Sequence, residues 1–188
     1  MRSFAYATLI GLVLAGIIHI VIVLLIPSFA SRDAWANLEN TGDAWRFNIV
    51  AESGKVSSVL PLVDPAFGIA ACRYDLSEAP LQVQADGKLP FWSVAIFDRF
   101  GRNIFSFNDR TAVEGALSMI VVNAVQMARI RKEVPEEAAN AVLVEATLDK
   151  GFVLIRALQN APDWEAKVNS FLQSAKCTPF VIGSADTN

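Results

Sequence analysis

The chain has 188 residues, 53% of them hydrophobic, a formal net charge of −3 and a single histidine. Its mild acidity argues against a nucleic-acid partner, which requires a basic stripe, and no polybasic patch for anionic lipid is expected. The lone histidine, His19, lies inside the apolar run 4–26, so histidine-based triads and histidine-rich metal sites are not expected in the remainder.

A run of that length crosses a bilayer as a helix, for which about 20 apolar residues suffice. Segment 1–30 is therefore expected to be an N-terminal cytoplasmic tip and transmembrane helix, ended by Pro27. Arg2 precedes the run, whereas Arg32 and Asp33 after it nearly cancel. The positive-inside tendency then keeps the amino end in the cytoplasm and exports the rest. The competing reading is a cleaved signal peptide, with small residues at Ser28 and Ala30; an ordinary signal core, however, has only about 7–15 apolar residues.

Within the helix Ala7, Gly11, Ala15 and His19 recur at a spacing of four and share one face, with Gly16 adjacent. Small residues at this spacing admit a second helix closely, and a polar side chain can hydrogen-bond across the contact. A membrane-helix interface is the preferred reading. The alternatives are a proton relay through His19 and a histidine that the membrane merely tolerates.

Residues 31–46 are expected to form a juxtamembrane amphipathic helix, with Trp35, Leu38 and Trp45 on one side. Trp35 suits either the bilayer interface or packing on the domain. From 47 to 178 a domain of short strands is expected, at 56–63, 67–75, 81–83, 91–97, 103–107, 118–123, 141–146 and 151–158, separated by turn residues. The loops 98–102 and 149–151 have hairpin length. Segment 91–97 is apolar on both alternating faces, which suits a strand covered on both sides. Residues 133–140 read as a short helix or turn. Segment 163–175 reads as a capping helix, with Trp164, Val168, Phe171 and Leu172 in one stripe and Pro162 and Asp163 at its start. A flexible tail is expected over 179–188. The fold expectation is mainly β: one N-terminal transmembrane helix, then an antiparallel β-sandwich-like domain with short amphipathic helices.

Cys72 and Cys177 make an even pair in the exported part. A disulfide closing a loop of about 100 residues is the favoured reading, and two buried thiols are the alternative. Polar chemistry gathers at Asp98, Arg99, Arg102, Asn108, Asp109 and Arg110. Asp98 and Asp109 flank a strand pair and can be read as a glycosidase acid and base. The arginines can be read as planar donors to an anionic ligand or glycan. Hairpin-end salt bridges are the preferred third reading. Asp64, Arg73 and Asp75 are candidates for the same polar edge. No catalytic residue, metal site or cofactor is expected: there is no phosphate-cradling glycine loop and no close ligand pair, and neither Lys55 nor Lys176 has a nucleophile motif beside it.

Several stretches carry a resemblance. They are Asp64-Pro-Ala-Phe, Cys72-Arg-Tyr-Asp-Leu-Ser-Glu-Ala-Pro, Phe91-Trp-Ser-Val-Ala-Ile-Phe-Asp-Arg-Phe-Gly-Arg-Asn, Asn108-Asp-Arg-Thr, and Gly151-Phe-Val-Leu-Ile-Arg with Trp164 and Cys177. Together they resemble the bacterial exported family called domain of unknown function 1254, in its short, membrane-anchored alphaproteobacterial form, over roughly residues 60–177. These motifs are strand and turn signatures rather than chemistry.

The resemblance implies a β-rich periplasmic domain, anchored by a single pass in the inner membrane, with no established activity. Larger family members often carry a second β domain, of unknown function 1214, for which this chain has no room. That domain is expected on a separate membrane-anchored partner. The functional expectation is a non-catalytic accessory or structural subunit of a cell-envelope complex, docking through its transmembrane helix and β domain. The alternatives are a glycan or lipid-linked-sugar binding module and, behind it, a carboxylate-based glycan-acting enzyme.

Overall fold

The structure, a computed structural model, describes residues 2–55, 57, 59, 63–87, 89–112 and 116–182. One helix of 40 residues opens the chain, α1 (Arg2–Thr41). Its stretch Arg2–Ile26 has mean hydropathy 3.1, is long and apolar enough to cross a membrane, and buries nothing against the rest of the protein. The helix does not stop at Pro27. A mid-helix proline removes one N–H and ordinarily costs about 3 kcal/mol or more. The expected separate helix at 31–46 is therefore mostly the end of α1, and Trp45 lies past that end, in a turn at φ 63°.

The chain then runs β1 (Asn48–Ala51), β2 (Phe67–Asp75), β3 (Leu81–Ala85), β4 (Trp92–Asp98), β5 (Asn103–Asn108), β6 (Leu117–Val122), α2 (Ala124–Lys132), β7 (Val142–Glu145), β8 (Lys150–Leu158), α3 (Glu165–Ser174) and β9 (Lys176–Pro179). Five strands form one antiparallel sheet in the order β1-β2-β8-β4-β5, and four form a second in the order β7-β6-β3-β9. The second sheet is mixed, because β7 runs parallel to β6.

Side-chain alternation along the strands builds the layers. Ala70, Cys72 and Tyr74 of β2 and Val153, Ile155 and Ala157 of β8 face Leu81, Val83, Leu117, Met119 and Val121 of the other sheet. Trp92 fills this main core between Phe107 and Phe171, with ring centroids 5.9 and 6.2 Å away. Val168, Phe171 and Leu172 of α3 close it. The outer face of the first sheet, with Ile69, Ala71 and Phe152, receives Leu38 and Trp35 of α1. The outer face of the second, with Ile120 and Val122, receives Met127 and Ile130 of α2. Both sheets are thus covered twice, as the apolar composition of 91–97 predicts for β4. A disulfide between Cys72 and Cys177, with Cα atoms 6.5 Å apart, ties β2 of one sheet to β9 of the other.

Three sequence expectations are revised. The loop 149–151 is not a hairpin, because β7 and β8 belong to different sheets and the turn carries the chain between them. Residues 57, 59 and 63 of the expected strand 56–63 belong to no strand, and the others (56, 58, 60–62) fall outside the described residues. The chain turns instead after Ala51, where Gly54 takes φ 75° and its N–H donates to the Pro65 carbonyl at 2.8 Å. The expected loose tail does not begin at 179: Pro179 ends β9 and Phe180 is buried at 5% exposure, while 183–188 lie outside the described residues.

Helix α2 was not expected, and its start explains it. Asn123 accepts the Gln126 N–H at 3.0 Å while the Gln126 side chain accepts the Asn123 N–H at 2.9 Å, a reciprocal cap. The Gln126 amide also donates to the Leu76 carbonyl at 2.7 Å, tying the cap to the β2–β3 turn. Asn123→Ala is expected to lower stability by about 1 kcal/mol, measured by denaturant unfolding.

Candidate functional site

The polar cluster at the β4–β5 hairpin is built around Asp98, which is 3% exposed. Its Oδ1 accepts the N–H groups of Phe100 at 2.8 Å and Arg102 at 3.0 Å, and its Oδ2 accepts Nε of Arg102 at 2.6 Å. Gly101 supplies the left-handed residue the turn needs, at φ 74°. Burial opposes the carboxylate's charge, but the Arg102 and Phe100 donors outweigh it and hold Asp98 below the usual carboxylate range. The guanidinium groups of Arg99 and Arg102 lie 5.2 and 5.7 Å from the exposed Phe100 ring. Asp98 is a turn ligand, and the hairpin tip is an aromatic ring between two cations.

The other half of the cluster lies elsewhere. Asn108 accepts the Arg110 N–H at 3.1 Å, and its carbonyl accepts the Thr111 hydroxyl at 3.0 Å. Asp109 donates its N–H to the Trp92 carbonyl at 3.2 Å. Asn108 pairs with Ser93 at the start of β4, whereas Asp98 ends that strand. At about 3.4 Å per residue the two ends of β4 are roughly 20 Å apart. A carboxylate pair that cleaves glycosides sits about 5–9.5 Å apart. Asp98 and Asp109 are not brought together, and the six residues form two separate turns.

The remaining polar candidates are also dispersed. Asp64 accepts the Ala66 N–H at 2.9 Å in its own turn. Asp75 accepts the Ser77 N–H and hydroxyl at 3.0 and 2.6 Å and pairs with Lys150 at 3.3 Å. Burial opposes its charge, but these donors hold it below the usual range. Tyr74 is pushed well above its ordinary pKa by burial, with the Asp98 charge adding, which suits a structural phenol rather than an acid or base. It fills the space above Gly151, where a Cβ would overlap the Tyr74 ring and the Phe97 carbonyl.

Arg73 has a role that sequence reasoning missed. On the outer face of β2 it reaches α1: Nη2 donates to the Gly42 carbonyl at 2.8 Å, Nη1 lies 3.9 Å from Glu39, and the guanidinium is 6.0 Å from the Trp35 ring. Trp35 in turn sits 6.4 Å from Phe152, which stacks on Phe97 at 5.1 Å. The long helix is clamped to the sheet. The signal was one cation on a strand face whose neighbours, Ile69 and Ala71, are apolar. At the far end of α1, Ala7, Gly11, Ala15 and His19 are all exposed, and nothing lies within 4 Å of where a Cβ on Gly11 or Gly16 would stand. A cleft of about 600 Å³, lined by Trp45, Phe47, Leu172, Lys176 and Cys177 among others, separates the α1–β1 connection from α3 and β9. Among the described residues no three His, Cys, Asp or Glu side chains gather as metal ligands.

A two-sheet domain, cross-linked by one disulfide, carried on a long apolar helix and using its polar side chains in turns and clamps, defines a class of β-rich protein. Within that class, the chain belongs to the family described as protein of unknown function (DUF1254), whose pattern matches residues 67–179, from β2 through β9. No curated protein matches it. The VPA0106 protein of Vibrio parahaemolyticus is similar in structure, with a TM-score of 0.58 at 14% identity over 86% of this chain and 41% of its own. An uncharacterised protein of Burkholderia cenocepacia gives a TM-score of 0.49 at 11% identity over 86% of this chain and 43% of its own. The chain spans less than half the length of either, and at these identities the likeness concerns fold alone.

Proposed function

We propose that the protein is held in the bacterial inner membrane by Arg2–Ile26, with its amino end in the cytoplasm and its β domain in the periplasm. There it serves as a non-catalytic accessory or structural subunit of a cell-envelope complex. The observation that carries this reading is the continuity of α1. One helix is apolar and wholly exposed along its first part, a surface that water does not tolerate bare, and its last turns are clamped to the sheet through Trp35, Leu38 and Arg73. The helix that carries the apolar stretch is the one that ends on the domain, which suits a part that holds a partner in register.

The partner is a second membrane-anchored protein, docking along the Ala7, Gly11, Ala15 and His19 stripe; a protein carrying the domain of unknown function 1214 fits the role. The glycan-binding and glycan-cleaving readings have less support, because Asp98 is committed to its turn and Asp109 lies at the other end of β5. Affinity purification from native membranes in mild detergent tests the proposal. The wild type is expected to bring down a stoichiometric membrane partner, and Gly11→Leu to reduce it about tenfold, the scale of a lost close helix contact. The domain's unfolding should not change, since Gly11 touches no other part of the fold. A chain that purifies alone as a monomer would sink the proposal.

A further inference from the structure

The end of α1 fixes which corner of the domain faces the membrane. Trp35 packs on Phe152 of β8, whereas Gly42, seven residues on, abuts Asn48 of β1 and takes the Arg73 donor from β2. The helix thus crosses the sheet from β8 towards β1. Followed the other way, towards its amino end, the same direction points to the β4 and β5 side of the strand order. Strands lie about 4.8 Å apart and a helix advances about 1.5 Å per residue. Two strands span about 10 Å, and the nine residues from Trp35 back to Ile26, where the apolar stretch ends, span about 13 Å of helix. The crossing is also at the hairpin end of the sheet, since Phe152 pairs with Phe97 and Arg73, one step from the Asp98 and Gly151 pair.

The membrane-facing corner is therefore the tip 98–102, and its chemistry suits that place. Phe100 is 49% exposed and flanked by the Arg99 and Arg102 guanidinium groups. Asp98, the one acid of the tip, is turned inward onto the Arg102 Nε and the turn amides. Arg99 has no ion-pair partner among the described residues. The tip presents an apolar ring and a net positive charge.

We propose that this tip rests on the surface of the bilayer from which α1 emerges, with Phe100 at headgroup depth and Arg99 and Arg102 on anionic lipid phosphates. The proposal takes Arg2–Ile26 as the membrane span, as above. An arginine fork matches a phosphate's oxygens bidentately, and an aromatic ring is favoured at the interface. The overall charge of −3 gave no reason to expect such a contact. Folding creates it by turning one acid inward and aiming two cations and a ring at the same point.

The test uses the full chain in nanodiscs of phosphatidylglycerol or of phosphatidylcholine, with benzoylphenylalanine in place of Phe100 or, as a control, of Val134, which is exposed beyond α2 on the side of the second sheet. Illumination is expected to give lipid adducts at position 100 and not at 134, with a higher yield in phosphatidylglycerol. Adding Arg99→Gln should lower that yield up to about fivefold, the worth of one cation at an anionic surface. Equal yields at the two positions, or protein adducts in place of lipid at position 100, would overturn this proposal alone. A chain that does not enter nanodiscs at all would overturn the anchor and the proposal together.

Discussion

Replacing Cys72 and Cys177 together by alanine is expected to lower the unfolding free energy by about 3–4 kcal/mol. The bond joins residues 105 apart in sequence. In the chain-entropy model, closing about 100 residues is worth up to about 4.7 kcal/mol, and removing a native disulfide typically costs 2–5. Here the loss has a second component. Strand β9 is four residues long, pairs among the described residues only with β3, and lies at the edge of its sheet. Without the link to β2 its backbone bonds have little to hold them, and the buried Phe180 that follows is released with it. Alanine is the right replacement, because both sulfurs are buried and a serine hydroxyl would add its own cost. For a domain of this size the change corresponds to a fall in Tm of about 10 °C. Urea unfolding of the full chain in detergent, with and without reductant, checks it. Reduced wild type should converge on the alanine variant, and a difference below about 1 kcal/mol would show that β9 is held by packing alone.

What could be read from the sequence was whatever depends on near neighbours. The two apolar faces of 91–97 became β4, covered on both sides. The stripe at Val168, Phe171 and Leu172 became the buried face of α3, with Trp164 left in the 3-10 turn just ahead of it. What could not be read depends on which distant segment arrives. The segment at β9, Lys-Cys-Thr-Pro, has no strand pattern of its own and is extended because Leu81 to Gln84 of β3 offer it partners. The turn at 149–151 looks like a hairpin, yet β8 is captured by β2 and β4 in a nine- and seven-residue register that a β7 partner could not match. In the polar cluster the preferred hairpin-end salt bridge is present, between Asp98 and Arg102, and only the alternative acid–base pair fails, for the same reason. Asp98 and Asp109 are close in sequence, but an extended β5 between them turns sequence proximity into distance. Arg73 was read as an edge residue because its partners, Trp35, Glu39 and Gly42, are over thirty residues away.

Asp98→Ala is expected to cost about 2–4 kcal/mol, with Asp98→Asn nearer 1 and Arg102→Gln below 1. The ordering separates two accounts of the same contact. As an ion pair, Asp98 and Arg102 would be worth little, because the Arg102 side chain is 70% exposed and such pairs rarely exceed about 1 kcal/mol. As a turn ligand, Asp98 matters more: alanine strands the N–H groups of Phe100 and Arg102, each costing about 1–3 kcal/mol where water cannot replace the acceptor. Asparagine keeps an oxygen for those two donors but loses the charge and sets an NH2 against the Arg102 Nε–H, which the exposed arginine relieves by turning into solvent. The pH dependence supplies a second check. The folded pKa lies below the unfolded value of about 3.9, so the carboxylate's contribution is complete above that value. It is lost as pH falls through the folded pKa, because the unfolded chain then binds the extra proton. Wild-type stability should therefore decline below about pH 4, and Asp98→Asn should flatten part of that decline. The rest persists, since Asp75 is held low in the same way by Ser77 and Lys150. If Arg102→Gln proved as costly as Asp98→Ala, the ion pair rather than the turn would be what fixes the tip, and Arg102 would no longer be free to face lipid phosphate.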